Sequence, residues 1–477
     1  MADVTSGSFA AVILAAGKAT RFKSKHARSK VMFPLGGVPV VEHILRTLQG
    51  MFPAQVIIVV NDETRQEISH RYGNIYEQVL QEPQLGTGDA LATALPVLSK
   101  DVENVLVIPG DVPLVTERAL REVMSAQFGA DAALLTFTPP ELRGYGRVKV
   151  QEGYVSKIIE EVDAETEDLK ICEVNSGVYS IARQWIETAL DRARTEIGPT
   201  NRKGEYYLTD IVTFLRTHAV CYEPAHDLMG INDRAQLNEA ENEIQARVVQ
   251  AHARNGVSFI RAETSYVEVN VRIGQDTVIM PGSILRGDTV IGDDCVIGPN
   301  AYIEDSRLGD ECKVAYSHLV GVRSEAGVNI GPYANLRPGT NLSEGVKIGN
   351  FVELKKTVVG DGSKIPHLSY VGDTKIGKDS NIGAGTITCN WDGFAKNPTA
   401  IGDGVFVGSN STLVAPISIG NGAYTAAGST LTKDVPPGAL GVGRARQENK
   451  EDYAAKLREK KKLAAEESSP QTNEGDR

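Results

Sequence analysis

Cysteine is scarce and unpatterned in this sequence. Cys172, Cys221, Cys295, Cys312 and Cys389 are odd in number, scattered, and form no C-x-x-C pair, which excludes a disulfide framework and points to a reducing compartment. Long apolar runs are missing too. The stretch Ala10 to Ala16 is too short to cross a bilayer, and the glycine and basic cluster behind it do not suit a cleavable signal. A cytoplasmic location and no membrane partner are expected. Nor is positive charge in excess, since 50 Lys and Arg face 61 Asp and Glu for a formal −11. That balance excludes broad attraction to nucleic acid or to an anionic membrane, although a local basic site still suits a nucleotide. With 477 residues the chain exceeds one ordinary core and leaves room for two or three domains.

The second half carries an unusual rhythm. An aliphatic residue recurs at every sixth position through Ile273, Ile279, Leu285, Ile291, Ile297 and Ile303, and the cadence returns at Ile376, Ile382, Ile401, Val407, Leu413 and Ile419. This period fits neither a helix nor a lone strand, so one short unit is stacked on itself. Glycine often follows the aliphatic residue, as in Ile291-Gly292 and Ile382-Gly383, which suits a chain that turns a corner after each inward side chain. The cadence predicts a β-helix. At about 4.8 Å per coil, residues 260–445 would build roughly ten coils, on the order of 50 Å tall.

The first half alternates short apolar runs, Ala10–Leu14, Val56–Val60, Val105–Ile108 and Ala132–Phe137, with longer polar stretches of helical character. This predicts an α/β domain with a mainly parallel, Rossmann-like sheet, its ligand lying beyond the carboxyl ends of the strands. At those ends, Leu14-Ala15-Ala16-Gly17 leads to Thr20-Arg21 and Lys30, a glycine turn followed by two cations suited to phosphate. Asp111 closes the run Val105–Ile108 and is placed to hold Mg²⁺ against a polyphosphate. Gln81 and the loop Leu85-Gly86-Thr87-Gly88 are suited to reading a base.

Further motifs follow in order: Tyr145-Gly146-Arg147, Glu160, Glu173-Val174-Asn175-Ser176-Gly177, Glu205 to Asp210, and Gly230-Ile231-Asn232-Asp233. Together they resemble the sugar-1-phosphate nucleotidylyltransferases. The hexapeptide half resembles the left-handed parallel β-helix of the hexapeptide-repeat acyltransferases; the left hand comes from that resemblance, because the general crossover rule favours the right hand. With both halves in one chain, residues 10–446 resemble the bacterial family of bifunctional N-acetylglucosamine-1-phosphate uridyltransferases and glucosamine-1-phosphate acetyltransferases. The resemblance implies that Leu14, Ala15, Ala16, Gly17, Lys30, Gln81, Gly86 and Thr87 hold UTP. It places Gly146, Glu160, Asn175 and Asn232 on the sugar phosphate, Asp111 and Asn232 on Mg²⁺, and Arg21 and Lys30 on the charge that develops during transfer. The chain departs from the family signature at Ala19, where glycine is usual, and has a longer segment from Arg21 to Lys30 with Ser29 before the lysine. Pro109 and Trp391 also replace the commoner residues.

The hexapeptide cadence breaks at Tyr333 to Gly339, at Lys355-Lys356 and at Pro366 to Tyr370, and irregular polar loops on a rigid repeat are where function concentrates. Acetyl transfer to an amine needs a base whose pKa lies near the working pH, as imidazole has. By resemblance His367 is that base; Arg337, Lys355, Tyr370 and Asn381 hold glucosamine-1-phosphate; and Ala384, Asn390, Trp391, Ser409, Ala427 and Arg444 hold acetyl-CoA. Cys389 is expected to be a packed thiol, not a nucleophile.

These readings divide the chain into a uridylyltransferase domain over 1–232, a linker helix over 233–256, an acetyltransferase β-helix over 257–446, and a helix with a disordered tail over 447–477. Leu237, Ala240, Ile244 and Val248 recur at helical spacing before a stop at Asn255-Gly256. The family resemblance implies a homotrimer with acetyltransferase sites between subunits, and a product, UDP-N-acetylglucosamine, that feeds peptidoglycan and other envelope polymers. Two other readings compete: a nucleotidylyltransferase whose β-helix serves only assembly or regulation, and a non-catalytic binding relative. His367 with Arg337, Lys355 and Tyr370 argues against the first; Arg21, Lys30, Asp111 and Asn232 argue against the second.

Overall fold

A computed structural model describes residues 9–17, 20–23, 29–199, 201 and 204–468. The chain divides into two compact units, Met1–Ser306 and Arg307–Arg477.

The first unit is built on a nine-stranded sheet. Its strands lie in the order Glu77–Leu80, Gln55–Val60, Phe9–Ala15, Asn104–Pro109, Val174–Ala182, Ala132–Phe137, Thr217–Cys221, Tyr154–Ile159 and Arg147–Gln151. The four predicted apolar runs are all strands. They are apolar at consecutive positions because helices cover both faces of the sheet. On one side Ala11, Ile13, Ile58 and Val60 pack with Val41, Ile44 and Leu48 of helix α1 (Val40–Gln49) and their neighbours. On the other, Val12, Ile57, Val59 and Val107 pack with Leu91 and Ile186. Parallel pairing dominates the first four strands. Val174–Ala182 is inserted antiparallel between Asn104–Pro109 and Ala132–Phe137, with a register shift between Asn175 and Tyr179.

The segment 233–256, expected to be helical, forms the helix Arg234–Arg254 within the first unit. The Asp233 side chain caps it by accepting from the N–H groups of Ala235 and Gln236 at 2.9 and 3.0 Å, and Asn255 ends it. Ala240 and Ile244 are buried in a cluster with Phe22, Phe33 and Leu35, and Leu237 and Val248 pack against it. The unit then begins the repeat, with Tyr266 paired to Ile284 and Ile284 to Tyr302 in parallel.

The second unit is built of short parallel strands on three faces, the coils of a left-handed parallel β-helix. The six-residue cadence is the inward side chain of each face: across the two units Ile279, Leu285, Ile291, Ile297, Ile303, Ile376, Ile382, Ile401, Val407, Leu413 and Ile419 are all buried, and Ile273 is half-buried. Cadence breaks show up as changed coil lengths. Strand partners 17 residues apart, Lys347 with Lys364 and Glu353 with Tyr370, mark a short coil. Partners 25 residues apart, Thr374 with Thr399 and Asn381 with Phe406, enclose an inserted loop. Bulky residues occupy left-handed corners at Tyr333, Phe351 and Leu368, with φ of 60°, 57° and 45°. Such conformations cost free energy for side-chain-bearing residues and tend to cluster at functional sites. A last helix, Tyr453–Glu467, is exposed throughout; most of the tail expected to be disordered lies outside the described residues. Among those, no helix is long and apolar enough to cross a membrane.

Candidate active sites

In the first unit a cleft of about 440 Å³ opens at the carboxyl ends of the central strands. Leu14, Ala16 and Gly17 follow the strand Phe9–Ala15, Gln81 follows Glu77–Leu80, and Asp111 follows Asn104–Pro109; all line the cleft. The chain after Gln81 is zipped to the segment 205–208. Tyr206 N–H donates to Leu85 O at 2.7 Å, Gly88 N–H to Tyr206 O at 2.9 Å, and Leu208 N–H to the Thr87 hydroxyl at 2.9 Å. Gly86 is required there. It holds φ at 115°, and a Cβ would lie 2.4 Å from Tyr206 O. Gln84 fixes the other wall, its amide donating to Ala16 O at 2.8 Å.

Lys30 forms an ion pair with Asp111, both side chains 19% exposed. The pair sits in the cleft, which therefore presents a cation already oriented by a carboxylate. Asn175 stands opposite, its Oδ1 accepting from Gly177 N–H at 2.8 Å and from the Tyr179 hydroxyl at 3.3 Å, which turns its amide N–H groups elsewhere. Glu160 accepts from the Thr209 hydroxyl at 3.4 Å. Burial and the nearby Glu160 carboxylate push the Tyr179 hydroxyl above its usual pKa, so it stays a donor. Among the described residues no cluster of three His, Cys, Asp or Glu side chains is present to hold a metal unaided. Asp111 with Asn232, joined through Ile231 N–H to Asp111 O at 2.8 Å, nevertheless suits a hard cation that takes its remaining oxygens from phosphate and water.

Not every sequence candidate reaches this cleft. Ala15 belongs to the buried core beneath it. Gly146 stands behind Glu160, where a Cβ would lie 3.4 Å from Glu160 Oε1, and its carbonyl accepts from Asn175 N–H. Asn232 is not among the residues lining the cleft, its backbone N–H donating to Gln236 Oε1 at 2.7 Å, and Arg21 is exposed on the turn Thr20–Phe22. Arg234 holds that turn, donating to Phe22 O at 3.1 Å. The departure at Ala19 and most of the lengthened segment, 24–28, lie outside the described residues. Sequence reading missed Gln84, Ala90 and Tyr179 in the cleft wall.

The second unit gathers its candidates on successive coils. His367 pairs in strand register with Asn350, and its Nδ1 lies 2.7 Å from Asn350 Oδ1. An accepting oxygen there makes Nδ1 the protonated nitrogen and leaves the Nε2 lone pair as the basic site. Ser369 anchors the next turn, its buried hydroxyl donating to His367 O at 2.8 Å. One corner on, Tyr370 and Asn390 converge over Gly372, where a Cβ would lie 2.5 Å from the Tyr370 hydroxyl and 2.7 Å from Asn390 Nδ2. Asn390 donates to Asp373 Oδ2 at 2.5 Å. Arg337 pairs with Glu353 at 3.0 Å.

Lys396 was not among the sequence candidates. It lies in the inserted loop, where it bridges back to Trp391. It crowds Lys355, and that close approach, reinforced by Arg337, holds the Lys355 ammonium below its ordinary pKa. Asp392 ties the loop down, accepting from Phe394, Ala395 and Asn397, and these bonds hold its carboxyl down to about 2. Asn381 lies half-buried on the same face as His367, next to Lys364 in register.

The remaining candidates form a file along the coils. Asn410 N–H donates to Ala384 O at 2.6 Å and Gly428 N–H to Ser409 O at 2.8 Å, so Ser409 and Ala427 stand on successive turns. Arg444 Cδ is 3.9 Å from where a Cβ on Gly428 would be. Ser409, Ala427 and Arg444 are exposed, as is Trp391, while Asn390 is buried. Cys389 is half-buried within its strand.

A nucleotide-sized cleft at the carboxyl edge of a parallel sheet, in a chain that also carries a hexapeptide β-helix with a group of cations and an exposed histidine, defines a transferase with two different centres. Residues 11–193 match the family described as MobA-like NTP transferase domain, residues 270–305 the bacterial transferase hexapeptide, and residues 398–433 the hexapeptide repeat of succinyl-transferase. A bifunctional protein GlmU of Brevibacillus brevis is 43% identical over 460 residues, covering 95% of this chain and 98% of that protein. Those of Listeria welshimeri and Heliobacterium modesticaldum are 42% and 43% identical, over 94% and 93% of this chain and 98% and 97% of theirs. The chain belongs to the GlmU family of bifunctional proteins. A UDP-glucose pyrophosphorylase structure complexed with UDP-glucose aligns with 50% of this chain at 17% identity and a TM-score of 0.39, too slight a likeness to argue from.

Proposed function

We propose that the protein makes UDP-N-acetylglucosamine in two steps. The second unit acetylates glucosamine-1-phosphate from acetyl-CoA, and the cleft of the first unit then joins the acetylated sugar phosphate to UTP with release of pyrophosphate. Family membership supports both activities, and the crowding of Lys355 by Lys396 beside Arg337 carries the assignment of the sugar-phosphate subsite. Cations held close together are relieved by a dianion, which a sugar phosphate supplies.

In the acetyl step, His367 Nε2 takes a proton from the 2-amino group as its nitrogen attacks the thioester carbonyl, and the resulting imidazolium returns that proton to the leaving sulfur. The C–N bond forms, the C–S bond breaks, and coenzyme A leaves as the thiol once it gains a proton. Asn350 keeps the imidazole in the required tautomer. In the uridylyl step a phosphate oxygen of the sugar attacks the α-phosphorus of UTP. Little proton transfer is needed, so Lys30, Arg21, Gln81, Thr87 and the amides around Gly17 act by alignment and charge neutralisation. Asp111 and Asn232 would hold Mg²⁺, which supplies further neutralisation of the triphosphate when bound. A cytoplasmic location suits these soluble substrates. A homotrimer, closing the flat faces of the β-helix about a threefold axis, is the assembly we assign.

Replacing Lys396 with alanine tests the sugar-phosphate subsite. The KM for glucosamine-1-phosphate is expected to rise about tenfold, the equivalent of one lost charge-assisted contact, while the KM for acetyl-CoA and the rate of uridylyl transfer stay unchanged. An unaltered KM for the amino sugar would remove Lys396 from the subsite.

A further inference from the structure

Gln81 is buried, yet it lines the nucleotide cleft. Its Nε2 donates twice, to Gly86 O at 2.9 Å and to Asp89 Oδ2 at 3.0 Å. Both partners only accept: one is a backbone carbonyl, the other a carboxylate paired with Arg194 at 3.1 Å. The amide therefore has one allowed orientation, because the flipped form would set Gln81 Oε1 against two acceptor oxygens. Oε1 accepts no hydrogen bond among the described residues. It is the side-chain atom of Gln81 left for a ligand. Arg194 is itself positioned, its guanidinium lying over the Tyr206 ring at 5.3 Å, and Tyr206 O receives the Gly88 N–H that closes the loop.

We propose that Asp89, held by Arg194, is a positioning residue that determines base specificity by fixing the Gln81 amide with its oxygen presented to the base. This rests on the assignment of the cleft to a pyrimidine nucleotide. An accepting oxygen matches the N3–H of uracil and repels N3 of cytosine, which is itself an acceptor. Reading cytosine would require the flipped amide, which Asp89 and Gly86 O oppose together. In Asp89→Asn the new side-chain amide rotates to donate to a flipped Gln81 Oε1, leaving only Gly86 O to oppose it.

The test compares kcat/KM for UTP and CTP, with N-acetylglucosamine-1-phosphate as co-substrate, in the wild type and in Asp89→Asn, Arg194→Met and Gln81→Ala. The ratio of UTP to CTP is expected to fall about tenfold or more in Asp89→Asn, the size of one buried hydrogen-bond preference, and to fall less in Arg194→Met, which leaves the carboxylate in place. Gln81→Ala is expected to lower use of UTP and abolish most of the preference. Equal losses for both nucleotides, or an unchanged ratio in folded Asp89→Asn and Arg194→Met, would overturn the proposal by showing that the cluster only supports the loop. Should Gln81→Ala itself leave UTP use unchanged, the cleft assignment would fall instead.

Discussion

His367→Ala is expected to lower acetyl transfer by roughly 100- to 10,000-fold, the usual contribution of a positioned general base, and to leave uridylyl transfer at its wild-type rate. The imidazole is exposed and its neighbours are held by other bonds: Ser369 bonds the backbone carbonyl of residue 367, and the strand pairing with Asn350 is made by the main chain. Truncation therefore removes the base without removing the coil. Asn350→Ala gives a milder version of the same defect, because it frees the tautomer but keeps the ring. Separate assays of the two half-reactions check this, and loss of both activities in a folded His367→Ala protein would contradict it.

Asp111→Ala is expected to do the reverse. Uridylyl transfer should drop by about 100- to 1,000-fold or more, as happens when a preorganised electrostatic group is removed, with acetyl transfer unchanged. The side chain pairs with Lys30 and, in the proposed reading, also offers an oxygen to Mg²⁺. Its backbone carbonyl, which accepts from Ile231 N–H, survives the substitution and should keep the strand end in place. Product formation from UTP and N-acetylglucosamine-1-phosphate across a range of Mg²⁺ concentrations measures the loss. Recovery to the wild-type rate at high Mg²⁺ would limit Asp111 to raising metal affinity; no loss at all would remove it from the site.

Much of the fold is legible because its signals are local. A six-residue aliphatic period can be satisfied only by a coil that buries one side chain per face, and the buried series Ile279 to Ile419 follows it. The four apolar strands read as strands because helices cover both of their faces. Val174–Ala182 was harder to see, since Asn175, Ser176 and Gly177 dilute its apolar pattern at the bulge, where the buried Ser176 hydroxyl donates to Leu135 O at 2.6 Å. Its place between two parallel strands is a long-range pairing that no local pattern records. The same limit explains the sites. Gly17, Gln81 and Asp111 announce themselves just past strand ends and Gly86 in a glycine-rich loop, whereas Gln84 and Tyr179 reach the cleft only through the path of the chain. Lys396 sits in a polar insertion with no repeat to index it, and its nearness to Lys355 is a long-range contact that no local pattern records.

The central claim, that one chain performs both transfers, is tested most directly by a mass-resolved assay of the purified protein. One reaction contains Mg²⁺, UTP, acetyl-CoA and glucosamine-1-phosphate; the other supplies N-acetylglucosamine-1-phosphate without acetyl-CoA. UDP-N-acetylglucosamine in both is the predicted result. Nucleotide sugar from the pre-acetylated substrate alone would contradict the account by making the β-helix a structural element, and acetylated sugar phosphate without nucleotide sugar would contradict it by showing that the first cleft does not transfer uridylate.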